Sequence, residues 1–251
     1  MALNIATLKT RALTAVVFVA VMLAGLLWNF WSFLILFTIV HFGCWYELVK
    51  LMKKIYAEKY LKYCLLGLVY ITMPILMMID LRTSYLGIDC TNGGNILGTA
   101  NIIYDHFVFP FVIFPLTIIG AIWINDTMAY IVGSLIGKTP LSKISPKKTW
   151  EGTIGGVILS VIVTGLLFSN LDPGIAIRGF KYLFSNVHFY VIAALCAIFG
   201  TMGDLFESKL KRMADVKDSG TIMPGHGGFL DRFDSLLFAA PVVWVYVKLF
   251  M

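Results

Sequence analysis

The sequence predicts an all-α, polytopic integral membrane protein with about seven transmembrane helices, and two observations carry that prediction. Of the 251 residues, 59% are hydrophobic and 14% are charged, whereas soluble domains are about 45–50% apolar and about 25% charged. The apolar residues also fall in long runs separated by polar segments. Because no linker or internal repeat divides the chain, we expect one membrane domain over 1–251, with N-terminal helices in 1–106 and the chemistry in 107–251.

Most of the apolar runs are long enough to cross about 30 Å of hydrocarbon. They cover residues 12–29, 31–49, 62–80, 107–137, 153–169, 187–204 and 235–250. We interpret the first as a retained helix, because it lacks the small-residue cleavage site of a signal peptide and another run follows at once. The fourth is long for one crossing, and Pro110 and Pro115 predict a kink, an interfacial segment or two partial helices. Two partial helices would make the count eight.

The distribution of Lys and Arg predicts the orientation. With seven crossings and the N-terminus inside, 16 of the 20 basic residues lie on the cytoplasmic side and 4 on the other. Cytoplasmic loops carry such an excess, so the polar loops 138–152 and 205–234 should meet in the cytoplasm. The same pattern explains the net charge of +6 without nucleic-acid binding. Because no transit peptide is evident, we expect a bacterial inner (plasma) membrane.

A carboxylate lies well inside the fourth run. Asp126 stands within Trp123-Ile-Asn-Asp-Thr-Met-Ala-Tyr130, and a charge at that depth costs about 2.5–3.5 kcal/mol on insertion scales. It is either a buried Asp satisfied by neighbours such as Asn125 and Thr127, or a carboxylate facing a polar cavity. We favour the cavity, because intramembrane acids commonly mark functional sites. Alone, the residue could equally serve a transporter.

A second group of charges follows the run 187–204. The spacing of Asp204, Glu207, Ser208 and Lys211 places all four on one helical face. Ordinary pairs one turn apart, on a helix leaving the membrane, would explain this pattern. Asp204 fits that explanation less well, because it follows Gly203 at the membrane boundary and is positioned for a metal.

The densest polar segment covers residues 208–235. It combines three kinds of group. The cations are Lys211, Arg212, Lys217 and Arg232, the carboxylates are Asp218, Asp231 and Asp234, and the glycines are Gly225, Gly227 and Gly228. Nucleotidyl transfer requires all three, because carboxylates hold Mg²⁺, cations neutralise phosphoryl oxygens and glycines let backbone N–H groups approach phosphate.

Two carboxylates of this segment have an alternative role as helix caps. Asp231 and Asp234 would lie in the first turn of the last helix, where acids compensate the helix dipole. For Asp231 we favour metal binding, and for Asp234 capping and metal binding stay equally open. His226, between glycines, is assigned to substrate binding, since an ionised phosphate nucleophile requires no general base.

The basic loop Lys138–Gly152 is the fourth candidate region. It could be a solvated loop beside anionic lipid headgroups. Its side chains at Ser145, Lys147, Lys148 and Thr149 are also suited to bind a triphosphate.

These segments together resemble the phosphatidate cytidylyltransferase (CDP-diacylglycerol synthase) family. The resemblance rests mainly on Ser208-x-Leu-Lys-Arg-x4-Lys-Asp-x-Gly-x2-Met-Pro-x-His-Gly-Gly-Phe-x-Asp-Arg-Phe-Asp234. It is supported by Ser145-Pro-Lys-Lys-Thr-Trp-Glu-Gly152, Asn125-Asp-Thr-x-Ala-Tyr130 and Gly203-Asp-Leu-Phe-Glu-Ser208. The chain is short for that family, which we attribute to fewer N-terminal helices.

The resemblance implies a transferase of phospholipid biosynthesis that uses CTP, phosphatidic acid and Mg²⁺, with a second cation possible, in a homodimer with a cytoplasm-facing cavity. It implies metal ligands at Asp204 and Asp231, with Asp218 and Asp234 close by. It implies phosphate contacts at Lys147, Lys148, Lys211 and Arg212. The predicted catalytic residues are Asp204, Asp231, Lys211 and Arg212. The remaining substrate-binding predictions are Asp126, Ser145, Thr149, Ser208, Lys217, Gly225, His226, Gly227, Gly228 and Arg232.

Two alternatives remain at the sequence level. A related CTP-dependent polyprenol or phytol kinase, or an ether-lipid cytidylyltransferase, could share a basic loop and acidic helix ends, but should lack the full 208–234 pattern. A transporter built around Asp126 predicts polar residues near mid-membrane on several helices, whereas the charges here concentrate at the helix ends.

Overall fold

The computed structural model describes residues 5–83, 108–169, 186–222 and 227–251, and within them the fold is all-helical, as predicted. Its helices are α1 (Ile5–Leu27), α2 (Phe30–Tyr56), α3 (Tyr60–Cys64), α4 (Met73–Thr83), α5 (Val108–Ile136), α6 (Trp150–Ser169), α7 (Asn186–Met213) and α8 (Leu230–Phe250). A 3₁₀ turn at Ala57–Lys59 and a π-helical turn at Leu68–Thr72 join the short helices. The described residues contain no strand, and an isolated bridge joins Pro140 and Thr149.

Five described segments are long and apolar enough to cross a membrane. They are Phe30–Cys64, Val112–Ile136, Trp150–Phe168, Val187–Met213 and Leu230–Phe250. A shorter apolar helix covers Leu13–Leu27. These segments fit a membrane protein, while the count of seven or eight crossings stays a prediction.

Three helix boundaries refine the sequence prediction. The fourth run forms one helix, α5, with Pro115 inside it, rather than two partial helices over residues 108–136. Helix α7 continues past residue 204 to Met213, so the predicted face from Asp204 to Lys211 is helical. Helix α8 begins at Leu230, earlier than the apolar run, and therefore includes Asp231 and Asp234.

Small residues allow the C-terminal helices to approach closely. A Cβ added at Gly156 of α6 would lie 2.7 Å from the Cβ of Ala129 in α5. A Cβ added at Gly203 of α7 would overlap the backbone carbonyl oxygen of Asp234 in α8. Small residues at membrane helix interfaces commonly permit such contacts. The approach at Gly203 holds the ends of α7 and α8, with their carboxylates, side by side.

The N-terminal helices pack against this C-terminal group. Helices α2 and α4 both contact α8, and α1 contacts α5. The apolar core runs through both halves, from Phe33 and Phe37 of α2 to Leu237 of α8, all buried. Burial of this kind stabilises the arrangement by close packing, so α2 has a fixed position relative to the start of α8.

Candidate active site

One cavity of about 650 Å³ lies between α5, α6, α7, α8 and the loop 137–149. Its walls carry four carboxylates and four cations among the described residues: Asp126, Asp204, Asp231, Asp234, Lys147, Lys148, Lys211 and Arg232. Phe18, Ile122 and Trp123 add an apolar wall. The arrangement can therefore hold charged phosphate groups beside a hydrocarbon chain.

Asp204 lies on the more accessible side of the cavity. Its Oδ2 forms an ion pair with the Nζ of Lys148, and both side chains are about 30% exposed. Its Oδ1 accepts a hydrogen bond of 3.2 Å from the hydroxyl of Ser208. Two polar partners, one of them on a loop, leave this carboxylate open to rearrangement.

Asp231 is the more enclosed of the two carboxylates, with 10% of its side chain exposed. Its Oδ1 is 2.6 Å from the Nζ of Lys211, which also forms an ion pair with the fully buried Glu207. Its Oδ2 accepts hydrogen bonds from the Ser219 amide at 2.9 Å, the Ser219 hydroxyl at 2.8 Å and the Gly228 amide at 2.8 Å. The carboxylate is held in one orientation by donors to both of its oxygens.

Asp126 and Asp234 complete the acidic wall. Asp126 lines the cavity with an exposed side chain, while the neighbouring Thr127 hydroxyl donates to the carbonyl oxygen of Trp123 at 2.8 Å. Asp234 is 8% exposed, and its Oδ1 accepts the amide of Ser235 at 2.6 Å. The N-cap residue of α8 is Phe229, whose side chain makes no capping hydrogen bond. Neither Asp231 nor Asp234 is therefore the N-cap residue of α8.

The loop 137–149 brings basic side chains to the cavity in an ordered backbone. The Leu141 amide donates to the carbonyl of Lys148 at 2.7 Å, and the Lys148 amide donates to that of Ser145 at 3.1 Å. The hydroxyl of Thr149 accepts the Gly152 amide at 3.2 Å and so caps the start of α6. Ser145, Lys147, Lys148 and Thr149 all line the cavity, where the sequence predicts substrate contacts.

Three predicted site residues lie away from this wall, and two are outside the described part of the chain. Arg212, Lys217 and Asp218 are exposed at the end of α7 and in the following turn, and they do not line the cavity. Ser208 reaches it only through Asp204. Gly225 and His226 lie outside the described residues.

The glycines were predicted to offer backbone N–H groups to phosphate, but in the structure one of these N–H groups is bonded to a carboxylate. The amide of Gly228 donates to Asp231 rather than facing open space. Gly227 has φ of +84°, and a Cβ there would lie 2.5 Å from Asp231 Oδ2. Only glycine adopts such a conformation readily, so this turn is shaped around the carboxylate of Asp231.

Glu47 of α2 is a polar residue that the sequence interpretation missed. It is 1% exposed, and its carboxylate accepts the amides of Phe229 at 2.9 Å and Leu230 at 2.8 Å. The rule that singled out Asp126 could have found it, because Glu47 stands within an apolar run.

The donor groups suit magnesium in a particular way. Mg²⁺ binds oxygen ligands, usually one or two carboxylates together with waters and substrate phosphates. The buried side-chain oxygen Oδ1 of Asn125, on the cavity wall, has no hydrogen-bond partner. Within the described ranges, no three His, Cys, Asp or Glu side chains are grouped to hold a metal by themselves. The site therefore fits an ion shared by one or two carboxylates with substrate phosphates and water, not an all-protein cage.

The fold and the cavity define a helical membrane protein that can bring phosphate groups and an apolar chain together. Residues 99–250 match the model of the cytidylyltransferase family. The chain belongs to this family.

Curated relatives extend the similarity over nearly the whole sequence. A phosphatidate cytidylyltransferase of Rickettsia bellii (strain RML369-C) is 31% identical over 249 residues, which are 97% of this chain and 92% of the relative. Another from Rickettsia felis (strain ATCC VR-1525 / URRWXCal2) is 34% identical over 239 residues, 93% of this chain and 89% of the relative. Phosphatidate cytidylyltransferase 4, chloroplastic, of Arabidopsis thaliana is 44% identical over 124 residues, 49% of this chain and 29% of the plant protein.

Proposed function

We propose that this chain is a membrane nucleotidyltransferase that transfers the cytidylyl group of CTP to phosphatidic acid, giving CDP-diacylglycerol and pyrophosphate. The observation that carries the proposal is one cavity in which four carboxylates and four cations lie beside an apolar wall. The names of the rickettsial relatives, which align over nearly the full chain, support the same activity. Phospholipid biosynthesis is the process that such a product serves.

The reaction divides the charged side chains between two tasks. A phosphate oxygen of the lipid attacks the α-phosphorus of CTP, and the bond from that phosphorus to pyrophosphate breaks. The lipid phosphate is already ionised at neutral pH, so no side chain has to remove a proton. Lys147, Lys148 and Arg232 line the cavity and would stabilise the charge on the phosphate oxygens. Positioning and electrostatics supply most of the acceleration in such transfers.

Asp204 and Asp231 are the residues proposed to hold magnesium, with Asp234 close by. When bound, the ion would neutralise charge on the phosphates and orient them for in-line displacement. The assignment is supported by the position of both residues on the wall of one cavity. Lys148 and Lys211, which are paired with these carboxylates, line the same cavity.

The proposed setting is a bacterial inner membrane, crossed seven times, with the cavity open to the cytoplasm. The distribution of basic residues supports this orientation. A cytoplasmic opening suits the chemistry, because CTP is a soluble nucleotide and phosphatidic acid arrives from the bilayer. The homodimer is proposed from the family resemblance alone.

A labelling experiment tests the proposed reaction. Purified protein is incubated with phosphatidic acid, Mg²⁺ and CTP labelled at either the α- or the γ-phosphorus, and the lipid is extracted. We expect label in the lipid only from α-labelled CTP. Label from γ-labelled CTP would indicate a lipid kinase, and no labelled lipid from either nucleotide would contradict both activities.

Replacing Asp231 by Asn should lower kcat about 10³-fold, the scale on which a preorganised electrostatic contact acts. The substitution keeps the side-chain volume but removes the charge opposite Lys211. Asp215→Asn is a matched control, because Asp215 is exposed in the turn after α7 and does not line the cavity. Turnover by Asp231→Asn close to that of the control would contradict the assignment.

A further inference from the structure

Glu47 occupies a position that connects the N-terminal helices to the cavity. It comes from α2, outside the residues 99–250 that match the family model. Its two oxygens accept the backbone N–H groups of Phe229 and Leu230, at the very start of α8. The first N–H groups of a helix have no partner within the helix, so Glu47 provides from another helix the cap that Phe229 does not.

The chain is shaped to enclose this carboxylate. A Cβ added at Gly220 or at Gly228 would overlap the carboxylate oxygens of Glu47. No larger side chain fits at either position without displacing Glu47. The backbone at Gly220 and at Gly228 therefore lies directly against the carboxylate.

The hydroxyl of Ser219 lies between the carboxylate of Glu47 and that of Asp231, which is proposed to act in the cavity. The Oγ of Ser219 lies 2.7 Å from Glu47 Oε2 and 2.8 Å from Asp231 Oδ2. Since the hydroxyl has one proton, it donates to one carboxylate at a time. The amide of Ser219 also donates to Asp231, and so does the amide of Gly228. Moving Glu47 would thus shift the donors that orient Asp231.

We propose that Glu47 is a positioning residue for the transfer reaction: by holding Ser219 and the start of α8, it fixes the orientation of the Asp231 carboxylate. Glu47 does not line the cavity and is not expected to contact substrate. The inference rests on the proposed function for its kinetic consequence, while the positioning itself can be measured without any turnover. It also assigns α2 a part in the chemistry that the family match alone does not give.

The kinetic test uses Glu47→Gln, which preserves volume but places an amide N–H₂ against the backbone N–H donors. We expect kcat to fall about 10–100-fold, the usual loss when a supporting partner of a reactive group is changed, with KM for CTP nearly unchanged. Glu47→Asp keeps two acceptor oxygens and should recover part of the loss. Ser219→Ala, which removes only the bridging hydroxyl, should cause a smaller loss in the same direction.

The control for these variants is Glu58→Gln, since Glu58 is exposed in the 3₁₀ turn that follows α2. Activities are expressed per CTP-binding site, counted by equilibrium binding of labelled CTP with Mg²⁺, so that unfolded protein does not enter kcat. A purely structural role would lower the number of sites but leave kcat per site equal to that of Glu58→Gln. That result would overturn the proposal.

Amide hydrogen exchange provides the measurement that needs no activity. We expect Glu47→Gln to accelerate exchange in peptides covering 219–222 and 227–231, while peptides from α6 exchange as in the wild type. If wild-type protein makes no lipid product but these peptides respond as expected, the proposed function fails and the positioning by Glu47 stands. If the wild type is active and neither kcat nor exchange changes in Glu47→Gln, the positioning inference fails alone.

Discussion

The two carboxylate–lysine pairs of the cavity differ in how firmly they are held. Lys148 and Asp204 are each about 30% exposed, and the lysine comes from the loop 137–149. Lys211 and Asp231 are 14% and 10% exposed, and the same lysine also pairs with Glu207, which is fully buried. Asp231 receives three further hydrogen bonds, whereas Asp204 receives one, from Ser208.

The difference indicates that one ion pair can rearrange when substrate binds and that the other stabilises the fold. Exposed ion pairs contribute about 0–1 kcal/mol and exchange partners at little cost, so Lys148 can leave Asp204 when phosphate arrives. Removing one partner of a buried pair costs about 3–5 kcal/mol, because a charge is left without compensation. The Lys211–Asp231 pair therefore stabilises the fold, whereas the Lys148–Asp204 pair can separate when substrate binds.

The largest effect should follow Lys211→Met. Glu207 and Asp231 both lose the cation that they share, so the free energy of unfolding should fall by about 3–5 kcal/mol and turnover should be lost. Thermal unfolding in detergent and lipid labelling measure the two effects. Glu207→Gln added to Lys211→Met should restore much of the stability but not the turnover, because Asp231 still lacks its partner. A Lys211→Met protein as stable as the wild type would remove the basis for distinguishing the two pairs.

A smaller effect, of a different kind, should follow Lys148→Met. The pair is partly exposed, so the free energy of unfolding should change by only about 0–1 kcal/mol. A lost charged hydrogen bond to phosphate should raise KM for CTP about tenfold or more. Lys143→Met is the matched control, because Lys143 is an exposed residue of the same loop that does not line the cavity. Strong destabilisation by Lys148→Met would show that both pairs are structural.

The smallest effect should come from the other end of α8. The indole N–H of Trp244 donates to Asp80 Oδ2 at 2.6 Å, and the Lys248 Nζ lies 2.9 Å from the same oxygen. Trp244→Phe should lower the free energy of unfolding by about 0.5–1.5 kcal/mol without changing kcat. Trp31→Phe, on a ring that is 68% exposed, should leave unfolding unchanged. A fall in kcat for Trp244→Phe would mean that the far end of α8 is coupled to the cavity.

Much of the fold could be predicted from the sequence, because the hydrophobic effect acts on long apolar runs whatever their neighbours. The runs at 107–137 and 153–169 correspond closely to α5 and α6. The placement of Asp231 and Asp234 at the start of α8 is confirmed, although the apolar run begins only at residue 235. The cap that Glu47 provides for this polar start was not predicted. Local residue patterns contain no information about a cap supplied from a different helix.

For the site, the residue types alone determined which functional groups are present: acids and bases at helix ends, a basic loop, and glycines beside Asp231. The tertiary structure decided which carboxylate pairs with which lysine, left Arg212, Lys217 and Asp218 exposed away from the cavity, and brought Glu47 to a residue 183 positions later. The physical reason is the distance along the sequence over which each interaction acts. Helix formation and membrane partition depend on neighbouring residues, whereas the partner of a buried charge depends on which helix faces meet when the bundle packs.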